Sequence, residues 1–545
     1  MRRLWNRINL QASGWAGLLL ALGAGSVFVL LTFSRDFVLG TSPYWQSQVD
    51  DVTQYIAGFN MYFTSPWRFP LLAFDNLNYP IGTRVTFVDA IPLYALALKV
   101  TLPTSLAPLN PFGIWVALCF VLQGVGAWLI ARELRTNSWF FLVALIAMLI
   151  TFPALMARIG HISLMSHWIL LFAIAIYVRS YQQSRLRQWE WTLLLVAAFY
   201  INIYLFVMAS GFLLASLFNL RRSISLLDVL YFLSPFSVLA ATGLVMLFPL
   251  PPGSGTREWG FGYYSMNLLA PFSGGKLFAL QAGEAPGQYE GFNYLGLGVL
   301  TALAAAYLFR KEPMIDILRR HRPLVVLLLI YTIYALSNQI YFGGQQILVL
   351  SYPVLLDWLT SQFRASGRFF WPVGYCLVIL SLLTLHRGLG KRAFALTALL
   401  LVGLQLADLD DRYKFLRSAE TRDGPQLMDY ITWDAFLGSE VKTLYFYPKF
   451  KCSKQSNQTL LPVMRYAAER GLKLNTGYIA RYTPDCSDVA REISTSIPQQ
   501  AAYIFSRADY PNLEAITTLF PKHIQVRCTP LQFAYVCLSS RIESP

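Results

Sequence analysis

Charged side chains are scarce here: Asp, Glu, Lys and Arg make up 13% of the 545 residues, against 55% hydrophobic. Soluble globular chains carry about a quarter charged residues, so a fully water-exposed fold is excluded. Acids are scarcer than bases, 29 against 44, leaving a formal charge of +15. That balance would suit phosphate backbones, but the basic residues sit in short loops between apolar runs, where they orient membrane spans; nucleic acid is not an expected partner. GxSxG elbows, P-loops and Rossmann fingerprints are missing, which argues against soluble hydrolases and a cytosolic nucleotide-sugar donor. Zinc-type spacing is missing too: there is no CxxC, and His523 is the single histidine beyond residue 407.

What is present is a series of apolar runs. The first, about 14–33, follows a basic start (Arg2, Arg3, Arg7) and reads as an uncleaved span, being about twenty residues long with no small-x-small site after it. Others fall at about 112–131, 138–157, 162–178, 190–218, 226–250, 294–310, 323–338, 369–386 and 391–407. Two segments are ambiguous, 190–218 with Asn202 inside it and 91–106 with Pro103. If the first is a pair of short helices and the second lies at the outer interface, the arginines and lysines near 132–135, 179–187, 221–222, 310–322 and 387–392 all fall on one side. The expected fold is a polytopic α-helical membrane protein of about eleven spans, residues 1–407. Its N-terminus is cytoplasmic, it carries a first outer loop at 34–111, and residues 408–545 form an extracytoplasmic domain.

That tail has strand-like runs at Val441–Tyr447, Ala501–Phe505, His523–Val526 and Phe533–Leu538, with a helical stretch at Leu461–Glu469, so it reads as a small α/β domain. Cys119 and Cys376 fall in apolar spans, whereas Cys452, Cys486, Cys528 and Cys537 fall in the tail and suggest two disulfides. Cys528 with Cys537 could staple a terminal hairpin and leave Cys452 with Cys486, one of three pairings.

The chemistry-bearing residues gather in the outer segments. Asp50 and Asp51 open an amphipathic interfacial helix, about 51–64, with Gln54 in its first turns and Asp89 before the next apolar run. Acids at a helix start have a plain explanation in capping, worth about 0.5–2 kcal/mol. A carboxylate held near the lipid boundary could also be the general base for an acceptor hydroxyl. Arg158-Ile159-Gly160-His161, followed by His167, lies between two spans, where snorkelling and turn-capping compete with function. Arg364 and Arg368 enter a span from outside; four residues apart, they would share a helix face and could grip a phosphate, whose charge grows as it leaves. Asp89, Gln54, His167, Arg257, Tyr263, Tyr264 and Glu290, with Lys276 nearby in the sequence, form a plausible substrate rim.

The Asp50-Asp51 pair after the first span, its following helix, Arg158-x-Gly-His161 and Arg364-x-x-x-Arg368 resemble the GT-C integral-membrane glycosyltransferases. That broad group contains protein O-mannosyltransferases and aminoarabinose transferases; the motifs look like those of a bacterial branch with no assigned substrate. The resemblance covers about 1–407 in architecture. It implies an inner-membrane enzyme that moves a sugar, with inversion, from a polyprenyl-phosphate carrier to a glycan, lipid or protein acceptor on the periplasmic face. One Asp would activate the acceptor, and Arg364, Arg368, Arg158 and His161 would receive the phosphate. Some relatives use a divalent metal such as Mg or Mn, which Asp51 with Asp89 could hold, and others use none. A transporter or flippase, or a non-catalytic assembly protein for envelope polysaccharide, remains the alternative.

Overall fold

The computed structural model describes residues 11–220, 223–280, 285–453, 457–487, 489–496, 500–521 and 524–541. Arg2, Arg3, Arg7, Arg221 and Arg222 lie outside the described residues.

The chain forms two compact units. The first comprises Met1–Val38, Gly113–Leu239 and Arg257–Ala419, and the second Leu39–Phe112, Ala240–Thr256 and Glu420–Pro545. This differs from a cut at 407/408. The first outer loop shares a unit with the tail because its helix Asp51–Thr64 is buried from Val52 to Phe63 and packs against the tail helix Asn457–Arg470. The expected interfacial helix is therefore a core helix of the second unit.

Every one of the eleven expected segments contains a helix, and these helices differ in length. Among the described residues, six helices are long and apolar enough to cross a membrane, or seven if the bent pair Lys391–Asp408 and Asp410–Ser418 is one span. At 1.5 Å per residue, Gln188–Ile201 (14 residues) and Ile203–Phe218 (16) fall short of a hydrocarbon core about 30 Å thick. Asn202 separates them: its side chain accepts from Tyr204 N and donates to Ser163 Oγ at 3.0 Å. Leu297–Arg320 leaves helical geometry at Arg310, ahead of Pro313, and its second half is charged. Arg322–Leu336 has 15 residues. Leu30, Leu400 and Leu308 are 78%, 74% and 71% exposed, an apolar exterior that suits lipid and not water.

Several basic loops expected on one side meet in this unit. Arg179 bonds both Glu133 (2.6 Å) and Glu190 (2.8 Å), while Arg132 shares Glu133 and Arg187 shares Glu190. At another junction His321 Nδ1 lies 2.8 Å from the Tyr177 hydroxyl. Burial, with Arg387 and Arg320 nearby, pushes this imidazole down to about 4.

In the second unit, five strands form one sheet: β1 (Thr443–Tyr447), β2 (Lys473–Leu474), β3 (Ala501–Ser506), β4 (Ile524–Leu531) and β5 (Ala534–Arg541), in the order β2-β1-β3-β5-β4. β1 runs parallel to β2 and β3, and β5 antiparallel to β3 and β4. β3 is buried throughout and β1 from Leu444 onward; apart from Thr443 and Ser506 at their ends, both are apolar or aromatic, as strands covered on both faces are. Cys528 faces Cys537 across the β4–β5 hairpin and bonds to it, and Cys452 bonds to Cys486. The segment 91–106 forms the ten-residue helix Pro92–Thr101, too short to cross, and the 3-10 turn Thr104–Leu106.

Candidate functional site

In the first unit, four of the candidates converge. The connection Ala157–His161 follows the helix Pro153–Met156 and carries Arg158 and His161; the short 3-10 helix Gln288–Gly291 carries Glu290; the 3-10 helix Ser366–Phe370 carries Arg368. The last two meet at backbone distance, where a Cβ on Gly367 would fall 2.5 Å from Gly291 Cα. Asn293 Nδ2 fastens them by donating to Gly291 O at 2.9 Å and Gly367 O at 2.8 Å.

Glu290 is the hub. Its Oε2 accepts from Arg158 Nη1 at 2.6 Å and from Arg368 Nη2 at 2.9 Å, and His161 Nε2 lies 3.1 Å from Oε1. Arg158 also donates to Tyr289 O, and Arg368 lies over the Tyr204 ring at 4.9 Å. Arg158 and Glu290 are buried, while Arg368 and His161 reach the surface in part. Burial opposes ionisation of Glu290, yet Arg368, the His161 hydrogen bond and Arg158 together hold its carboxyl well below the usual range. A carboxylate so held is a weak base, so Glu290 orients the two guanidiniums instead of accepting a proton.

Arg364 does not share a helix face with Arg368. The helix Asp357–Gln362 ends at Phe363 and the next begins at Ser366, so Arg364 lies in an irregular link. It donates to Trp259 O at 3.0 Å and lies over the Tyr264 ring at 5.5 Å. Tyr264 joins Tyr263, Trp259 and Tyr289 in an aromatic cluster with centroids 4.9, 5.9 and 6.3 Å away. Trp259 and Tyr289 are largely exposed. Arg257 stands apart with a loose 4.0 Å ion pair to half-buried Asp357, and Lys276 bonds Asp410 at 2.6 Å.

His167 is not on a rim. It is fully buried, packs at a tilt on Trp371 with ring centroids 4.2 Å apart, and its Nδ1 lies 2.8 Å from the Tyr375 hydroxyl, to which Gln123 Nε2 donates at 2.9 Å.

In the second unit, Asp50 occupies the N-cap position of Asp51–Thr64 but its side chain makes no capping bond. Its Oδ2 accepts from Ser47 Oγ at 2.7 Å, and both Asp50 and Asp51 are exposed. Capping by Asp50 is thus not what the geometry shows. Burial, then the Asp50 and Asp51 carboxylates, push the Tyr44 phenol above its ordinary value. Tyr44 carries no periodic or motif signal that would single it out in the sequence. Gln54 is buried and donates to Tyr478 O at 3.2 Å, so it anchors the helix and does not line a rim. Asp89 is exposed, in the left-handed region at φ 55°. Among the described residues, no three His, Cys, Asp or Glu side chains cluster as a metal would need.

These features define a membrane protein whose helical unit holds a buried charged cluster and whose second unit is a disulfide-bonded α/β body. A family model described as "Domain of unknown function (DUF6311)" matches residues 21–410, and the "DUF6311 C-terminal domain" matches 432–539. The chain belongs to that family. Comparison with curated proteins finds no match. Among solved structures, it is similar to the crystal structure of the Archaeoglobus fulgidus oligosaccharyltransferase tethered with an acceptor peptide containing the NVT sequon, at 10% identity and a TM-score of 0.44, over 99% of this chain and 75% of that one.

Proposed function

We propose that this protein is an inner-membrane glycosyltransferase, moving a sugar from a polyprenyl-phosphate carrier to an acceptor hydroxyl on the periplasmic face. The observation that carries the reading is the convergence of Arg158, Arg368 and His161 on Glu290, beside Arg364 and the exposed Trp259–Tyr263–Tyr264–Tyr289 cluster. A phosphate leaving group gains charge as the sugar departs, and guanidiniums fixed in advance stabilise that charge without reorganising. Aromatic faces beside them suit a sugar ring or a prenyl chain. Asp50, exposed and making no capping bond, or its exposed neighbour Asp51 is the base that takes the acceptor proton. The glycan, lipid or protein acceptor is left open. The two disulfides support an oxidising compartment for the second unit, and the shared Glu133–Glu190 contacts support a common cytoplasmic side for the loops at 132, 179 and 187.

The test is transfer of radiolabelled sugar from polyprenyl-phosphate donors by intact protein, Asp50→Asn, Asp51→Asn and the double variant at equal expression. One single variant should lose about 100-fold or more. Equal transfer by all four would remove the pair as base. A second reading, a transporter or flippase, draws on the buried Gln123–Tyr375–His167 chain inside the helical unit. It predicts no transfer by the intact protein and loss of transport in His167→Phe.

A further inference from the structure

We propose that the second unit contains a binding site for a neutral polyhydroxylated ligand, one or two sugar residues of a glycan, lined by Gln46, Gln426, Asp429, Tyr430, Arg465 and Glu469. These residues surround a cavity of about 420 Å³, within the size range of small-molecule sites.

Its walls are fixed from behind. Gln48 Oε1 accepts from the backbone N–H groups of Leu427 and Met428, both at 2.8 Å, and its Nε2 donates to Met428 O at 3.0 Å. Gln532 Oε1 accepts from Trp433 Nε1 at 2.8 Å. Arg465 is buried: Nη1 donates to Ser47 O at 2.9 Å and Nε to Glu469 Oε1 at 2.8 Å. Polar groups held this way are pre-organised, so a ligand need not pay to order them.

One group is left waiting. The Tyr430 hydroxyl is buried and has no hydrogen-bond partner among the described residues. Such a group is costly unless a ligand or water completes it. The lining charge selects the ligand class: one guanidinium stands against the carboxylates of Asp429 and Glu469, which disfavours phosphate and other anions. Amides, a phenol and carboxylates offer alternating donors and acceptors, the complement of vicinal hydroxyls. The site rests on the glycosyltransferase reading only for its use, which would be to hold an acceptor glycan; binding itself does not depend on that reading.

The experiment is saturation-transfer NMR on the full chain in detergent, with glucose, mannose, galactose, N-acetylglucosamine, maltose, cellobiose, lactose and chitobiose as probes. At least one should bind saturably, and Tyr430→Phe and Gln426→Ala should each weaken it by about fivefold or more. Inorganic phosphate should not compete. Tyr430→Phe removes only an unpartnered hydroxyl, so it leaves the fold intact. Silence from all eight sugars, undiminished binding in both variants, or displacement by phosphate would overturn the proposal. Binding without sugar transfer would sink the glycosyltransferase reading alone, and transfer without binding would sink this site alone.

Discussion

At the scale of single residues, Glu290 holds the most consequential position in the helical unit. It neutralises two guanidiniums, one of them buried with it, and His161 Nε2 lies 3.1 Å from its other oxygen. Breaking a buried ion pair from one side leaves a stranded charge, at a cost of about 3–5 kcal/mol. Glu290→Gln should therefore lower the thermal midpoint sharply, and adding Arg158→Met should recover part of the loss. A midpoint that does not move in Glu290→Gln would mean Arg158 has another way to be satisfied. The individual charges of this cluster are legible in the sequence because ionisable groups beside apolar runs attract notice. Their meeting is not legible, since Arg158 and Glu290 are 132 positions apart and no local pattern links them. Tyr44, one of 30 tyrosines, is silent for the same reason.

At the scale of elements, the path of the chain around Gly367 decides how Arg368 is presented. The 3-10 helix Ser366–Phe370 lies against Gly291 with no room for a side chain. Gly367→Ala should push Arg368 away from Glu290, costing about 1–3 kcal/mol by overpacking and lowering sugar transfer although no charged group is changed. Melting and transfer measured together check this; full activity would show that the segment yields elsewhere. Helix existence was readable throughout from hydropathy, down to the break at Asn202. The spacing of Arg364 and Arg368 misled, because periodicity cannot see a helix that stops at Phe363 and restarts at Ser366. The helix Asp51–Thr64 misled in another way. Its aromatic and aliphatic residues suggest one stripe, but Val52 to Phe63 are buried all round, because the partner helix Asn457–Arg470 arrives from the far end of the sequence.

At the scale of the whole molecule, four of the five tail strands were anticipated, because β1 and β3 are short and mainly apolar and the β4–β5 hairpin is bounded by turns, whereas the two-residue β2 is too short to register. The composition of the second unit was not, because it gathers three separate stretches of chain. Arg465 in the tail donates to Ser47 O, Gln48 braces Met428, and Leu474 N bonds to Asn76 O at 2.8 Å. A chain ended at Ala419 should accordingly expose 39–112 to limited proteolysis while the apolar helices stay protected. Mass spectrometry of the fragments would decide it, and an unchanged cleavage map would show that the loop folds alone. The same arrangement has a consequence for biosynthesis. A ribosome releases residues 39–112 early and Asn457–Arg470 only near the end, so the first outer loop must wait, unpartnered, while the remaining apolar helices are made. Maturation of this unit is bound to chain completion, and a stalled or shortened product would be marked for degradation by its exposed helix Asp51–Thr64.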